Sequence, residues 1–142
     1  MRWIGGGSPS TLGNVPSVVR CLLAIAFLKA HVSALGLGST LRWIRRREAR
    51  TPARASDPTA FLIACEYAVS MAAALYPGRA LCLERSLALL YLARRAGIPV
   101  SYHHGVQPVP FAAHAWIEYE GRVINDTDEH VLTYRRLPQV CP

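Results

Sequence analysis

The sequence predicts an α+β domain, with helices first and a small antiparallel sheet after them. Three observations carry this: apolar residues recur at helical spacing from Ser17 to Tyr91, strand-like runs begin at Val100, and Glu120-Gly121 offers a turn between two of those runs. At 142 residues the chain fits one domain, which can bury about two thirds of the surface its unfolded form exposes.

Residues 1–15, rich in glycine, serine and proline, are expected to form a flexible tail. Residues 16–50 form an N-terminal helical segment, and residues 51–142 complete one compact domain with it. Within the segment, Ser17 to Leu35 reads as a helix ended by Gly36 to Gly38. Thr40 to Arg50 reads as a second helix carrying Arg42, Arg45, Arg46, Arg47 and Arg50, with Arg54 following. Asp57-Pro58 is a helix start, because the carboxylate caps free N–H groups and proline suits the first turn. That helix runs through Phe61, Leu62, Cys65 and Val69 to Pro77-Gly78 and reads as almost wholly buried. A third helix begins near Cys82 and carries Arg94 and Arg95 in its last turn, with Gly97 past its end and Pro99 beyond. Strands are expected over Val100 to Val106, Ala113 to Glu120 and Arg122 to Asn125, with Gln107 to Phe111 as a loop.

Lys and Arg number 16 against 9 for Asp and Glu, a surplus of +7 that suits an acidic peptide, an anionic membrane face or nucleic acid without choosing among them. The apolar run from Cys21 to Leu28 is too short to span a bilayer and lacks the layout of a secretory signal. Cys21, Cys65, Cys82 and Cys141 show no zinc-ligand spacing, so reduced thiols in a cytoplasm are expected. No metal is expected, and no glycine-rich phosphate loop supports use of ATP.

A thiol nucleophile needs access to a carbonyl, a means of becoming thiolate and a base. Cys82 stands in the first turn of its helix, where unpaired backbone N–H groups and the helix dipole stabilise negative charge and could also hold an oxyanion. Arg79 adds positive charge nearby. His114 opens a strand, and Asp126 ends the next; each lies about six residues from the Glu120-Gly121 turn, so a hairpin brings them to the same end. The carboxylate is expected to accept the Nδ1 proton, leaving Nε2 towards the thiol. Trp116, His104 and Phe111 are candidate substrate contacts; of the adjacent His103 and His104, only one can face a site. Glu84 and Arg85 are expected to be surface residues or local ion-pair partners in the first turns of that helix, Glu118 to be exposed, and Cys21, Cys65 and Cys141 to be structural.

Four blocks in order, Cys82-Leu-Glu-Arg-Ser-Leu-Ala-Leu, Arg94-Arg95-Ala-Gly-Ile-Pro99, Pro110-Phe-Ala-Ala-His114-Ala-Trp-Ile-Glu118 and Gly121-Arg-Val-Ile-Asn-Asp126, resemble the leader peptidase of lasso-peptide biosynthesis. That enzyme is the transglutaminase-like C-terminal portion of the B protein of microcin-type pathways, encoded in many bacteria as a separate chain. The resemblance covers residues 57 to 130 closely; His-Ala-Trp alone occurs across the wider transglutaminase-like group. It implies a transglutaminase-like, papain-like cysteine protease core with Cys82, His114 and Asp126 as its triad and no cofactor. It also implies a ribosomally made precursor peptide as substrate, a separate leader-binding protein as partner, and a macrolactam cyclase that receives the core peptide. Nucleic acid is not among the implied partners, whereas peripheral membrane contact stays open. An acyl transferase using the same three residues and a non-catalytic basic peptide-binding module are the alternative readings.

Overall fold

The computed structural model describes residues 15–48, 57–80 and 82–139. The expected tail up to residue 14, together with Arg50, Arg54 and Cys141, lies outside those residues.

Helix α1, Val18–Arg46, starts where the Ser17 hydroxyl accepts from the Arg20 N–H and bends at Gly36, whose φ of 82° and ψ of 168° leave helical space. Gly36 thus divides two helical arms, where the sequence expects the first helix to end. The buried Thr40 hydroxyl donates to Gly36 O at 2.8 Å and meets His31 Nδ1 at 2.8 Å, which ties the two arms together. Helix α2, Pro58–Leu75, is capped by the Asp57 carboxylate, 3.0 Å from Ala60 N. Helix α3, Cys82–Arg95, closes as its sequence requires: Gly97 takes φ 80°, Ile98 N donates to Ala93 O and Gly97 N to Arg94 O. The three helices pack on one another around Cys21, Ile25, Leu62, Cys65, Val69 and Leu87, and α3 lies against the sheet.

Helix α2 departs from its expected burial. Phe61, Leu62, Cys65 and Val69 face the core, yet Ile63, Tyr67, Met71 and Leu75, four residues apart, are exposed. The helix is apolar on both sides, and α1 and α3 cover only one of them, so hydropathy alone could not tell the two faces apart. By length and composition α1 and α2 could each cross a membrane, which the shorter run from Cys21 to Leu28 could not, although each also buries one face in the bundle.

The sheet has the order β3-β2-β1-β4, from β1 (Ser101–Pro108), β2 (Phe111–Tyr119), β3 (Arg122–Val123) and β4 (Arg135–Arg136). The expected loop at Gln107 to Phe111 is instead hairpin: Pro108 pairs with Phe111, and only Val109 and Pro110 form the turn. Glu120 and Gly121 both have positive φ, 49° and 77°, the two-residue turn that matches the twist of paired strands. Strand β3 is shorter than expected, and α4 (Asp128–Val131) and β4 were not foreseen, because their pairing is set by tertiary contact. Gly105 makes β4 possible, since an added Cβ would lie 2.7 Å from Arg135 O.

Candidate active site

Strand β2 supplies His114 from its interior rather than its first residue, because the hairpin extends the strand back to Phe111. His114, Trp116 and Glu118 share one face of β2, with His103 and Gly105 of β1 beside them; Ala115 and Ile117 share the other with Tyr102 and His104. Beyond β3 the chain bends at residues 124–126 and returns Asp126 to the His114 ring, where Oδ2 meets Nε2. This reverses the expected tautomer. The carboxylate arrives at the ring's outer edge, past the end of the short β3, so Asp126 engages Nε2 and Nδ1 is the nitrogen left for a proton acceptor's role. The ring is held in place by Trp116, stacked with centroids 5.9 Å apart, and by Tyr134 at 5.1 Å.

Burial pushes the Asp126 carboxyl up, but hydrogen bonds from His130, the Thr127 N–H and His114 together outweigh it, and the group sits below its ordinary value. Asp126 is therefore an anion facing an imidazole across physiological pH.

Helix α3 is locked to the strand that carries His114. Ser86 Oγ donates to Ala115 O at 2.9 Å and accepts from Asn125 Nδ2 at 2.9 Å, while Asn125 Oδ1 accepts from Ile117 N at 2.9 Å. Asn125 thus takes the place of a longer β3 along this edge of β2. Cys82, partly buried, stands about one turn before Ser86 on the same side of α3, about 6 Å along the axis from the residue that grips His114's neighbour. No hydrogen bond joins Cys82 to His114 among the described residues. Arg85 reaches across to α2, at 3.3 Å from Glu66 and 2.7 Å from Ser70 Oγ, so its pairing joins two helices and is not the local one expected.

Among the described residues, the two other cysteines are poorly placed to act as nucleophiles. Cys21 and Cys65 are fully buried; burial raises the Cys21 thiol and, helped by Cys21 and Glu66, pushes the Cys65 thiol up to about 12. Glu118, expected at the surface, is also buried, and it accepts from Trp116 Nε1 at 2.9 Å and Arg136 at 2.6 Å, with His103 Nε2 at 3.4 Å. Trp116, a candidate substrate contact, is fully buried between His103 and His114 and supports the His114 ring instead. His104 lies on the opposite face of the sheet from His114, with its ring 5.6 Å from Tyr102. Phe111 is exposed at the start of β2 and is free to touch a peptide.

Burial raises the Glu118 carboxyl, yet its bonds to Trp116 and Arg136 and the charges of His103 and Arg136 bring it below the ordinary 4.5. The unfolded chain therefore binds more protons near that value, so Glu118 contributes stability above pH 4.5 and loses it as pH falls through the depressed value. The urea midpoint is expected to drop between pH 6 and pH 3, and to drop less in Glu118→Gln; an equal drop in both would remove Glu118 from the cause.

Sequence reasoning missed Ser86, Asn125 and His130. Asn125 adjoins Asp126 in a run that reads as a turn, and Ser86 carries no sequence signal beyond its place one turn after Cys82.

Helices first, a four-stranded antiparallel sheet after, and a sheet-borne histidine backed by a carboxylate, on a strand bonded to α3 through Ser86, define an α+β domain of the transglutaminase-like class. The family model described as the transglutaminase-like superfamily matches residues 24–139, and the chain belongs to that family. The superfamily includes cysteine peptidases and acyltransferases. Comparison with curated proteins and with solved structures finds no match.

Proposed function

We propose that the chain is a cysteine peptidase that removes the leader from a lasso-peptide precursor, with Cys82 as nucleophile, His114 as base and Asp126 as the group that orients the base. The observation that carries this reading is the pairing of His114 with Asp126 on β2, the strand whose Ala115 O is bonded to Ser86, one turn from Cys82. His114 Nδ1 takes the thiol proton as sulfur attacks the carbonyl at the leader–core junction. The tetrahedral intermediate collapses, the C–N bond breaks, and the core's amine leaves with the proton from Nδ1. Water then attacks the leader thioester, giving up its proton to Nδ1, and the released thiolate is reprotonated. Asp126 stabilises the imidazolium in each step.

Two donors are needed for the oxyanion, and the Cys82 N–H is one.

On this reading the precursor is brought by a separate leader-binding protein, the core passes to a macrolactam cyclase, and the chain works in the cytoplasm. The exposed apolar residues on the outer faces of α1 (Val19, Leu23, Phe27, beside Arg20) and α2 (Ile63, Tyr67, Met71) support a docked partner, because exposed apolar stripes of this length are costly in water. The arginines Arg45, Arg46 and Arg47 at the end of α1 support contact with an acidic one.

Acyl transfer uses the same residues and is separated by one experiment. Incubation with precursor and a labelled amine, read by mass spectrometry, should give free core and a leader ending in a carboxylate. A leader–amine adduct as main product would replace the peptidase reading with a transferase, and intact precursor in the presence of its leader-binding protein would end both.

A further inference from the structure

His130 and the contacts around it have no part in the steps above. It lies on α4, whose start is capped by Thr127 Oγ1 accepting from the His130 N–H, and this turn carries the ring back onto Asp126 four residues earlier. His130 Nδ1 is 2.7 Å from Asp126 Oδ2, the same oxygen that meets His114 Nε2. The two rings are 4.9 Å apart. The donor atoms of His114, Asp126 and His130 all lie within 4.8 Å of one another.

We propose that His114, Asp126 and His130 form a binding site for a divalent transition-metal ion of the zinc type, and that filling it switches the peptidase off. Two imidazoles and one carboxylate are a borderline-soft donor set that suits zinc and disfavours magnesium or calcium, which want oxygen alone. Each ligand is already oriented by a second partner. His114 is stacked on Trp116, His130 stands edge-on to Tyr134 at 5.3 Å, and Asp126 Oδ1 accepts from Thr127 N at 2.8 Å. His130 has a side chain 49% exposed, so an ion can enter from solvent past it. A small shift of the two rings away from Asp126 Oδ2, the oxygen that both meet, makes room for bonds of about 2.0–2.2 Å to the ion.

The consequence for chemistry follows from proton placement and rests on the peptidase reading. A neutral imidazole has one N–H. In the metal-free site His114 carries it on Nε2, where it is donated to Asp126, and Nδ1 keeps its lone pair for the thiol proton. Coordination through Nε2 moves that proton to Nδ1, with no net proton gained or lost by the ring. Nδ1 then cannot accept from Cys82. His130 shifts its proton from Nδ1 to Nε2 in the same way.

Equilibrium dialysis against zinc, with magnesium as the control, tests the site without reference to activity. The wild-type chain and Cys82→Ala should each retain one zinc, with magnesium not retained, while His130→Ala should bind zinc at least about tenfold more weakly. Added zinc should suppress precursor cleavage by the wild type and release it on chelation, whereas His130→Ala should keep its own metal-free rate at the same zinc concentration. Equal zinc uptake by His130→Ala and wild type, loss of uptake in Cys82→Ala alone, or no uptake by the wild type would each overturn the site. If the metal-free chain cleaves nothing yet zinc uptake depends on His130, the peptidase reading fails and the metal site stands.

Discussion

Cys82→Ala is expected to end release of the core peptide while the domain stays folded. The substitution removes one sulfur from a partly buried position in the first turn of α3, and alanine is the strongest helix former, so a stability change within about 1 kcal/mol is expected. Without the nucleophile no thioester can form, and neither remaining described cysteine can substitute. Cys21 and Cys65 are sealed in the bundle, and a thiol pushed up to about 12, as at Cys65, stays protonated at neutral pH. Cleavage should fall by at least about 10⁴-fold, the scale on which losing a member of such a triad is felt. Mass spectrometry of the precursor reads the loss, and a melting curve confirms the fold. Processing at the wild-type rate by Cys82→Ala would leave the chain without a catalytic assignment.

The largest effect on stability is expected from Asn125→Ala, a residue with no chemical step of its own. Its side chain replaces the missing end of β3, satisfying the Ile117 N–H and the Ser86 hydroxyl at once. Truncation leaves the strand N–H unpaired at a buried edge and loosens the Ser86 bond to Ala115 O, for a loss of about 2–4 kcal/mol. Urea unfolding measures it. Because the same bonds hold α3 against the strand of His114, cleavage should weaken even at temperatures where the variant is folded. The Ser86→Ala, Asn125→Ala double variant should cost less than the sum of the singles, since they share one network. A change within about 0.5 kcal/mol for Asn125→Ala would show that the edge is held by something else.

How the candidate site was visible in advance differs residue by residue. His114 and Asp126 could be matched by counting from Glu120-Gly121, because a two-residue turn sets the register of both flanking segments. That count survived even though β3 stops at Val123, since the bend after it still returns the carboxylate to the same ring. Cys82 could be placed at a helix start from the helix's own termination chemistry. Trp116 was read wrongly as a contact for substrate. Alternation along a strand says which residues share a face but not what covers it, and the cover here is Arg136 and Tyr134 from the segment after α4.

The same distinction holds for the whole molecule. Local rules in the amino-acid sequence determined the helices α2 and α3, the helix break at Gly36, the turn at Glu120-Gly121 and the placing of His114 and Asp126 at one end of it, because capping, glycine conformation and strand alternation act within a few residues. Tertiary structure alone decided that Asp126 takes Nε2, that Ser86 and Asn125 clamp the helix to the sheet, that α2 leaves half its apolar surface uncovered, and that His130 joins the carboxylate. Each of those depends on which segments meet across tens of residues, and a contact between distant groups leaves no periodic mark on either of them.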